Sequence, residues 1–190
     1  MELDNKINYI VSGLERSGTS MMMQMLKAGN IPIEFDNSRK QDDGNPKGYY
    51  ELEGGKIINK LVNRAFPIEK YKGKFIKITA FGLQYLPLGM YKIIYMERNL
   101  DEVLDSMEKM AGINDKNREK TKDSFQKLNE KVKQHIKRRE DVDVLFINYN
   151  EILYNPQSNI EKLSNFLCLS SIDKQQIINA IDISLYRHRR

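Results

Sequence analysis

A glycine-containing segment near the N-terminus, GLERSGTS over residues 13–20, has the spacing of a loop that holds anionic groups. Its two glycines match those of the nucleotide-binding pattern GxxxxGK[ST], but Thr19 stands at the lysine position. Backbone N–H groups of residues 17–20 would begin the following helix, whose N-terminus carries about half a positive charge, and Arg16 adds a full one. The segment therefore predicts an anion-binding site.

The missing lysine argues against nucleoside triphosphate chemistry. In an ATP or GTP site that lysine neutralises the β and γ phosphates, and an Asp at the end of a later strand helps to hold magnesium. Here the later candidate strands end in Glu97 and Asn148. A P-loop nucleotide kinase-like enzyme with an unusual loop remains one alternative. A noncatalytic protein that binds a nucleotide or RNA is another.

Short strands alternating with helices must position this loop. Four runs rich in apolar, β-branched or aromatic residues predict strands, at residues 7–12, 75–80, 92–97 and 143–148. Helical patterns separate them, including one over residues 117–140 with a single apolar stripe. This alternation predicts an α/β fold: a single-domain, P-loop NTPase-like, three-layer fold over residues 1–190, with a parallel sheet of about five strands.

Composition narrows the class of protein. The chain has 190 residues and a net charge of +5, and its basic balance allows nucleic acid, an anionic surface or a multiply phosphorylated ligand as partner. Acidic residues lie among the lysines of residues 117–140, so nucleic acid is not the expected partner. We find no apolar run long enough for a membrane span and expect a cytoplasmic protein. One cysteine, Cys168, and two distant histidines predict neither a disulfide nor a metal site.

The loop and a later segment, YKIIYMERNLDEVLDSM, together resemble the sulfotransferase family, whose donor is 3′-phosphoadenosine 5′-phosphosulfate. The resemblance implies that the loop grips the 5′-phosphosulfate, although Glu15 stands where the family usually has proline. It also implies that Arg98, after a strand, and Ser106, eight residues on, bind the 3′-phosphate. The implied 5′ residues are Arg16, Ser17, Gly18, Thr19 and Ser20.

Two weaker matches and two departures accompany this resemblance. Lys77 resembles a strand-end lysine that many members place beside the transferring group, and Tyr149 resembles a tyrosine that approaches the adenine. Thr79 stands where those members have a catalytic histidine. The family's glycine-rich C-terminal loop has no match, and the chain ends instead in LYRHRR, with three arginines: Arg187, Arg189 and Arg190.

The resemblance implies metal-independent transfer of a sulfuryl group to a hydroxyl or amine on a small-molecule or peptide acceptor. Arg16, Lys77 and the loop amides would stabilise the transferring group. Without a histidine, a carboxylate is the expected base, and we predict Asp36 because it follows the run 31–33, which should return beside the loop. The other carboxylates considered are Glu15, Glu34, Asp42, Asp43, Glu51 and Glu53.

Overall fold

In the computed structural model, which describes residues 2–168 and 173–186, a parallel β-sheet forms the centre of the fold. Its strands are β1 (Asn8–Gly13), β2 (Phe75–Lys77), β3 (Tyr91–Glu97) and β4 (Val142–Asn148). Their order across the sheet is β2-β1-β3-β4, and every pair of neighbours is parallel. The predicted α/β class and parallel sheet are thus confirmed.

Within the described residues the sheet has four strands, where the sequence suggested about five. The run 31–33 contributes one isolated parallel bridge, between Ile33 and Phe75, at the outer side of β2. Pro32 has no N–H to continue a ladder, although its carbonyl accepts a hydrogen bond of 2.9 Å from the Phe75 amide. The second strand is also shorter than predicted, since the chain enters a 3₁₀ segment at Ala80–Tyr85.

Seven α-helices cover the sheet in the part of the chain that the structure describes. They are α1 (Thr19–Ala28), α2 (Ile57–Val62), α3 (Leu100–Ala111), α4 (Arg118–Arg138), α5 (Tyr149–Tyr154), α6 (Pro156–Leu167) and α7 (Lys174–Asn179).

Two hydrophobic clusters lie on opposite faces of the sheet, because alternate residues of a strand point to opposite sides. On β1, Val11 belongs to the cluster shared with α1 and α6, whereas Ile10 belongs to the cluster shared with α2 and α4. Both side chains are fully buried. Burial on both faces explains why the middle of β1, residues 9–11, is a continuous apolar run.

The apolar stripe predicted within residues 117–140 is the buried face of α4. Val132 and Ile136 are fully buried, and Phe125 and Leu128 pack against the same cluster from partly buried positions. Most of the other residues of the helix are polar or charged and at least partly exposed, as a narrow stripe requires.

The carboxyl ends of β1 and β3 bring the two predicted motifs together. Gly13, the last residue of β1, pairs in register with Met96 of β3. The anion loop and Arg98 therefore leave the sheet at adjacent positions on the same edge. Ligands of open parallel sheets bind at this edge.

Candidate functional site

The geometry of the anion loop depends on its two glycines. Gly13 has a φ of 145°, and a Cβ atom there would lie 2.4 Å from Ser17 Oγ and 2.5 Å from the Met96 carbonyl oxygen. Gly18 has a φ of 103°, and a Cβ would lie 2.4 Å from Tyr149 Cδ2. Both positions thus combine a left-handed backbone with contacts too close for any side chain.

The loop leads directly into α1, whose N-terminus opens on the cleft. Thr19 and Ser20, the first two residues of the helix, line this cleft together with Gly18. No side chain among the described residues caps α1. Its first N–H groups are therefore available to an anion. Ser17 is buried beneath the loop and does not line the cleft.

Arg16 links the loop to the second motif. Its Nε donates to Ser106 Oγ on α3 at 2.9 Å, and its Nη2 donates to the Gly44 carbonyl oxygen at 2.9 Å. Arg16 itself has a positive φ of 65°. The side chain thus spans from the carboxyl end of β1 to α3 and to the long loop over residues 34–48.

Arg98 is buried at the start of α3, beside the anion loop. Its Nε donates to Glu102 Oε2 at 2.8 Å, and its Nη1 donates to the Arg16 carbonyl oxygen at 3.1 Å. Its guanidinium carbon lies 4.5 Å from the centre of the Tyr149 ring. Arg98, Ser106 and Tyr149 all line the same cleft as the loop. The structure thus brings the two motifs into one site.

Lys77 reaches this cleft from the end of β2. Its Nζ lies 2.9 Å from Glu51 Oε1, donates to Ser20 Oγ at 3.1 Å and also donates to the Tyr49 carbonyl oxygen. The Lys77 side chain is only 4% exposed. Burial lowers the pKa of Lys77, and the ion pair with Glu51 opposes that shift.

Glu51 is the buried carboxylate of the cleft. Besides Lys77, its second oxygen, Oε2, accepts a hydrogen bond of 3.2 Å from Arg39 Nη1. The Arg39 guanidinium stacks on the Tyr49 ring, with its carbon 3.5 Å from the ring centre. The Tyr49 hydroxyl donates in turn to Asp42 at 2.8 Å. Glu51 thus sits in an ordered polar cluster next to the end of the anion loop.

Asp36 lies outside the cleft. The run 31–33 does return to the sheet, and the Asp36 amide donates to the Glu51 carbonyl oxygen at 3.0 Å. The Asp36 carboxylate, however, is exposed and accepts from the backbone amides of Ser38 at 2.8 Å and Glu53 at 2.6 Å. Partial desolvation raises the pKa of Asp36, but the hydrogen bond from the Ser38 hydroxyl and those from the two amides outweigh it and lower the pKa. The carboxylate stabilises a turn.

The cleft has a volume of about 740 Å³, within the usual range of small-molecule sites. Of the carboxylates considered from sequence, four line it and three do not. The four are Glu15, Asp42, Asp43 and Glu51, and the three are Glu34, Asp36 and Glu53. Thr79, at the position of the family's histidine, lines it as well.

Sequence reasoning missed several residues of the site. Lys109 and Met110 line the cleft and follow Ser106 by three and four residues, a spacing that could have predicted one helix face. Tyr49 also lines the cleft and carries no signal in the sequence. The three terminal arginines (Arg187, Arg189 and Arg190) lie outside the described residues.

No group of three or more His, Cys, Asp or Glu side chains in the described part of the chain is arranged to hold a metal ion. None of its helices has both the length and the apolar character that a membrane crossing requires.

Known proteins resemble this chain in sequence pattern and in fold. A family model, described as the sulfotransferase domain, matches residues 6–185. Mouse sulfotransferase SULT7A1, solved with PAP, is 16% identical over 97% of this chain and 67% of its own, with a TM-score of 0.57. The sulfotransferase domain of the Synechococcus PCC 7002 olefin synthase is 13% identical over 96% of this chain and 83% of its own, with a TM-score of 0.57.

Retinol dehydratase in complex with retinol and PAP is 16% identical over 97% of this chain and 67% of its own, with a TM-score of 0.55. At such identities the likeness to these structures shows the fold. A search of curated proteins found no match.

Proposed function

Since the sulfotransferase model spans residues 6–185, the chain belongs to the sulfotransferase family, and we propose in detail how its cleft carries out sulfuryl transfer. The donor is 3′-phosphoadenosine 5′-phosphosulfate, and its product is adenosine 3′,5′-bisphosphate (PAP). The comparisons give no support to a nucleoside triphosphate enzyme. The observation that supports the site most is the hydrogen bond of 2.9 Å from Arg16 to Ser106, since it joins two motifs that lie 90 residues apart.

We assign the 5′-phosphosulfate to the N-terminus of α1 and the 3′-phosphate to Arg98. The amides of Gly18, Thr19 and Ser20 supply directed donors to the 5′ group, and Arg16 supplies a full charge. The family pattern assigns the 3′-phosphate to Arg98 and Ser106, and both line the cleft. Arg16 Nε donates to Ser106 Oγ at 2.9 Å, so the residues proposed for the 5′ and 3′ groups lie side by side.

In the transfer step, an oxygen or nitrogen of the acceptor attacks the sulfur. The bond between sulfur and the bridging phosphate oxygen breaks, and its electron pair leaves with PAP. Lys77, whose Nζ lies 3.1 Å from Ser20 Oγ, is placed to stabilise the charge that develops beside the loop. A base must also remove the acceptor proton.

We propose Glu51 as that base in place of Asp36. Glu51 lines the cleft and lies 2.9 Å from Lys77, whereas the Asp36 carboxylate is held by turn amides outside it. This position favours Glu51, because a base must come within hydrogen-bonding reach of the proton it removes. A negatively charged donor would compete with Glu51 for Lys77 and leave the carboxylate freer to accept a proton.

The acceptor belongs to the part of the cleft lined by Glu51, Tyr49 and Ile58, next to the proposed base. We propose a hydroxyl or amine on a small molecule or peptide, and a cleft of about 740 Å³ is of a size that suits such a group. One domain over residues 1–190 and a cytoplasmic location stay predictions, the latter supported by the single cysteine.

Ligand-induced stabilisation tests the donor assignment. PAP at ~100 times its dissociation constant, without added metal, should contribute about 2.7 kcal/mol and raise the melting temperature by roughly 5–10 °C. ATP with magnesium should raise it much less. A larger rise in melting temperature with magnesium ATP would favour the hypothesis that the protein is a nucleotide kinase-like enzyme. The absence of a shift with either ligand would contradict a functional donor site.

A further inference from the structure

A buried hydrogen-bond network connects Arg98 to the last described segment of the chain. Glu102, one helical turn after Arg98, has a side chain only 1% exposed. Its Oε2 accepts from Arg98 Nε at 2.8 Å, and its Oε1 accepts from the Tyr186 hydroxyl at 2.6 Å and from Asn150 Nδ2 at 3.0 Å. Asn150 Nδ2 also donates to the Tyr186 hydroxyl oxygen at 2.6 Å.

The segment that carries Tyr186 also borders the cleft. Asp182 lines the cleft and pairs with Lys47 of the long loop at 2.9 Å. Tyr186 is buried, and its ring lies 5.8 Å from the Tyr149 ring in an edge-on arrangement. The Arg98 guanidinium carbon is 5.7 Å from the Tyr186 ring centre. Tyr186, at the end of segment 182–186, therefore packs against the proposed 3′-phosphate residue.

Charge balance explains what this network does. A buried carboxylate must be compensated by hydrogen-bond donors or by an opposite charge. If Arg98 were the only group that compensates Glu102, most of the positive charge of Arg98 would be neutralised. Tyr186 and Asn150 supply two further donors to Glu102. Desolvation raises the pKa of Glu102, but the hydrogen bonds from Tyr186, Arg98 and Asn150 have the larger, opposite effect. The pKa is therefore lowered, and the group stays ionised. Burial and the bond to Glu102 raise the pKa of Tyr186 to about 12, which keeps its hydroxyl a donor.

We infer that Tyr186 is a positioning residue for the donor's 3′-phosphate: by donating to Glu102, it fixes the carboxylate that orients Arg98 and leaves part of the Arg98 charge for the ligand. This inference rests on the proposed function. It also gives segment 182–186 a role at the donor site, where the glycine-rich loop of the family has no match in this sequence.

Calorimetric titration of two ligands that differ only in the 3′-phosphate tests the inference. The ratio of the dissociation constant for AMP to that for PAP measures the contribution of the 3′-phosphate alone. Tyr186→Phe keeps the ring contacts and removes the donor, and it should lower this ratio roughly 5- to 10-fold, as expected for the net contribution of one intramolecular hydrogen bond. Its AMP affinity should stay within about twofold of the wild type. Tyr85→Phe, on the Ala80–Tyr85 segment, is the matched control.

Arg98→Ala in the same titration separates the two proposals. If wild-type protein binds AMP as tightly as PAP, the proposed 3′ subsite is wrong. If Arg98→Ala abolishes the preference for PAP but Tyr186→Phe retains it, the inference about Tyr186 is overturned and the proposed function stands. Equal weakening of both ligands by Tyr186→Phe would also overturn it. Should that variant fold poorly, Asn150→Ser removes the other donor to Glu102 and should lower the ratio in the same direction.

Discussion

At the scale of single residues, the cleft contains a lysine and a carboxylate that each depend on the other. Lys77 is almost fully buried, and Glu51 lies 2.9 Å from it with a side chain only 10% exposed. Burial of an isolated charge is costly, so each group stabilises the ionised form of its neighbour. A substitution of either residue therefore has two effects, one on chemistry and one on the partner left behind.

Glu51→Gln keeps the size of the side chain and removes its negative charge. We expect turnover to fall by about 10²- to 10⁴-fold, the usual contribution of a general base. PAP affinity should stay close to that of the wild type, because the loop amides and Arg98 are untouched. A screen of hydroxyl and amine compounds with labelled donor supplies the acceptor for this assay. Asp36→Asn is the control, and near-normal turnover is expected.

The opposite pattern, with Asp36→Asn inactive and Glu51→Gln active, would return the base to Asp36. Glu15→Gln is a third variant for the same assay, since Glu15 also lines the cleft.

Substitutions of Arg98 and Arg16 should have different effects on ligand binding and on transfer. Arg98→Ala should weaken PAP by about 1.5–3 kcal/mol, the value of hydrogen bonds to charged groups, and weaken adenosine 5′-phosphosulfate much less. Arg16→Ala should impair transfer even where donor binding survives. Competition binding against both ligands, together with initial rates, checks this. Equal losses for the two ligands with Arg98→Ala would mean that Arg98 supports the fold or the 5′ subsite.

At the scale of elements, an ion pair fixes the connection between α4 and β4 at the sheet edge opposite the cleft. Arg139 Nε and Nη2 donate to the two Asp141 oxygens at 2.8 and 2.6 Å, and Arg139 Nη1 donates to the Leu86 carbonyl oxygen at 2.9 Å. Asp141 also accepts from the Gly89 amide at 3.0 Å. The pair therefore ties the segment before β3 to the start of β4.

This pair predicts a pH dependence of stability. The hydrogen bonds from Arg139 lower the pKa of Asp141 to about 2, below its ordinary value of 3.8. The folded-state pKa is depressed, so the stabilisation is present above about pH 4 and is lost as the pH falls towards 2. Asp141→Asn should lower the free energy of unfolding at pH 7 by about 1–2 kcal/mol, allowing for solvent screening, and by less at pH 3.

Urea unfolding at pH 7, 4 and 3 measures this difference. Asp123→Asn is the matched control, because its pair with Lys127 is exposed, and it should change stability by less than about 0.5 kcal/mol. A deficit for Asp141→Asn that is the same at every pH would contradict an ionic origin.

At the scale of the whole molecule, the central strands carry both the hydrophobic core and the site. Ile94 on β3 is fully buried, whereas Leu88, just before that strand, is 90% exposed. Ile94→Ala should cost about 2–5 kcal/mol and lower the melting temperature by roughly 5–15 °C, while Leu88→Ala should change stability by less than about 0.5 kcal/mol. Calorimetry of both variants checks this, and a cost below 1 kcal/mol for Ile94→Ala would contradict the central position of β3.

The sequence by itself determined those features that depend on local spacing. Two glycines between a strand and a helix suffice to predict the anion loop, because only that backbone places the first amides of α1 around one point. The placement of Arg98 after β3 and the stripe of α4 follow from the same short-range periodicities. The parallel sheet follows from the alternation of strands and helices.

Only the tertiary structure separated the candidate carboxylates that line the cleft from those that do not. Asp36 and Glu51 lie in irregular chain joined by one backbone hydrogen bond of 3.0 Å, yet their side chains have different surroundings. In such a segment no periodic pattern sets the direction of a side chain. The buried Lys77 orients Glu51, and the turn amides orient Asp36. The role of Tyr186 depends likewise on a contact to Glu102 across 84 residues, which forms only when α3, α5 and segment 182–186 pack together.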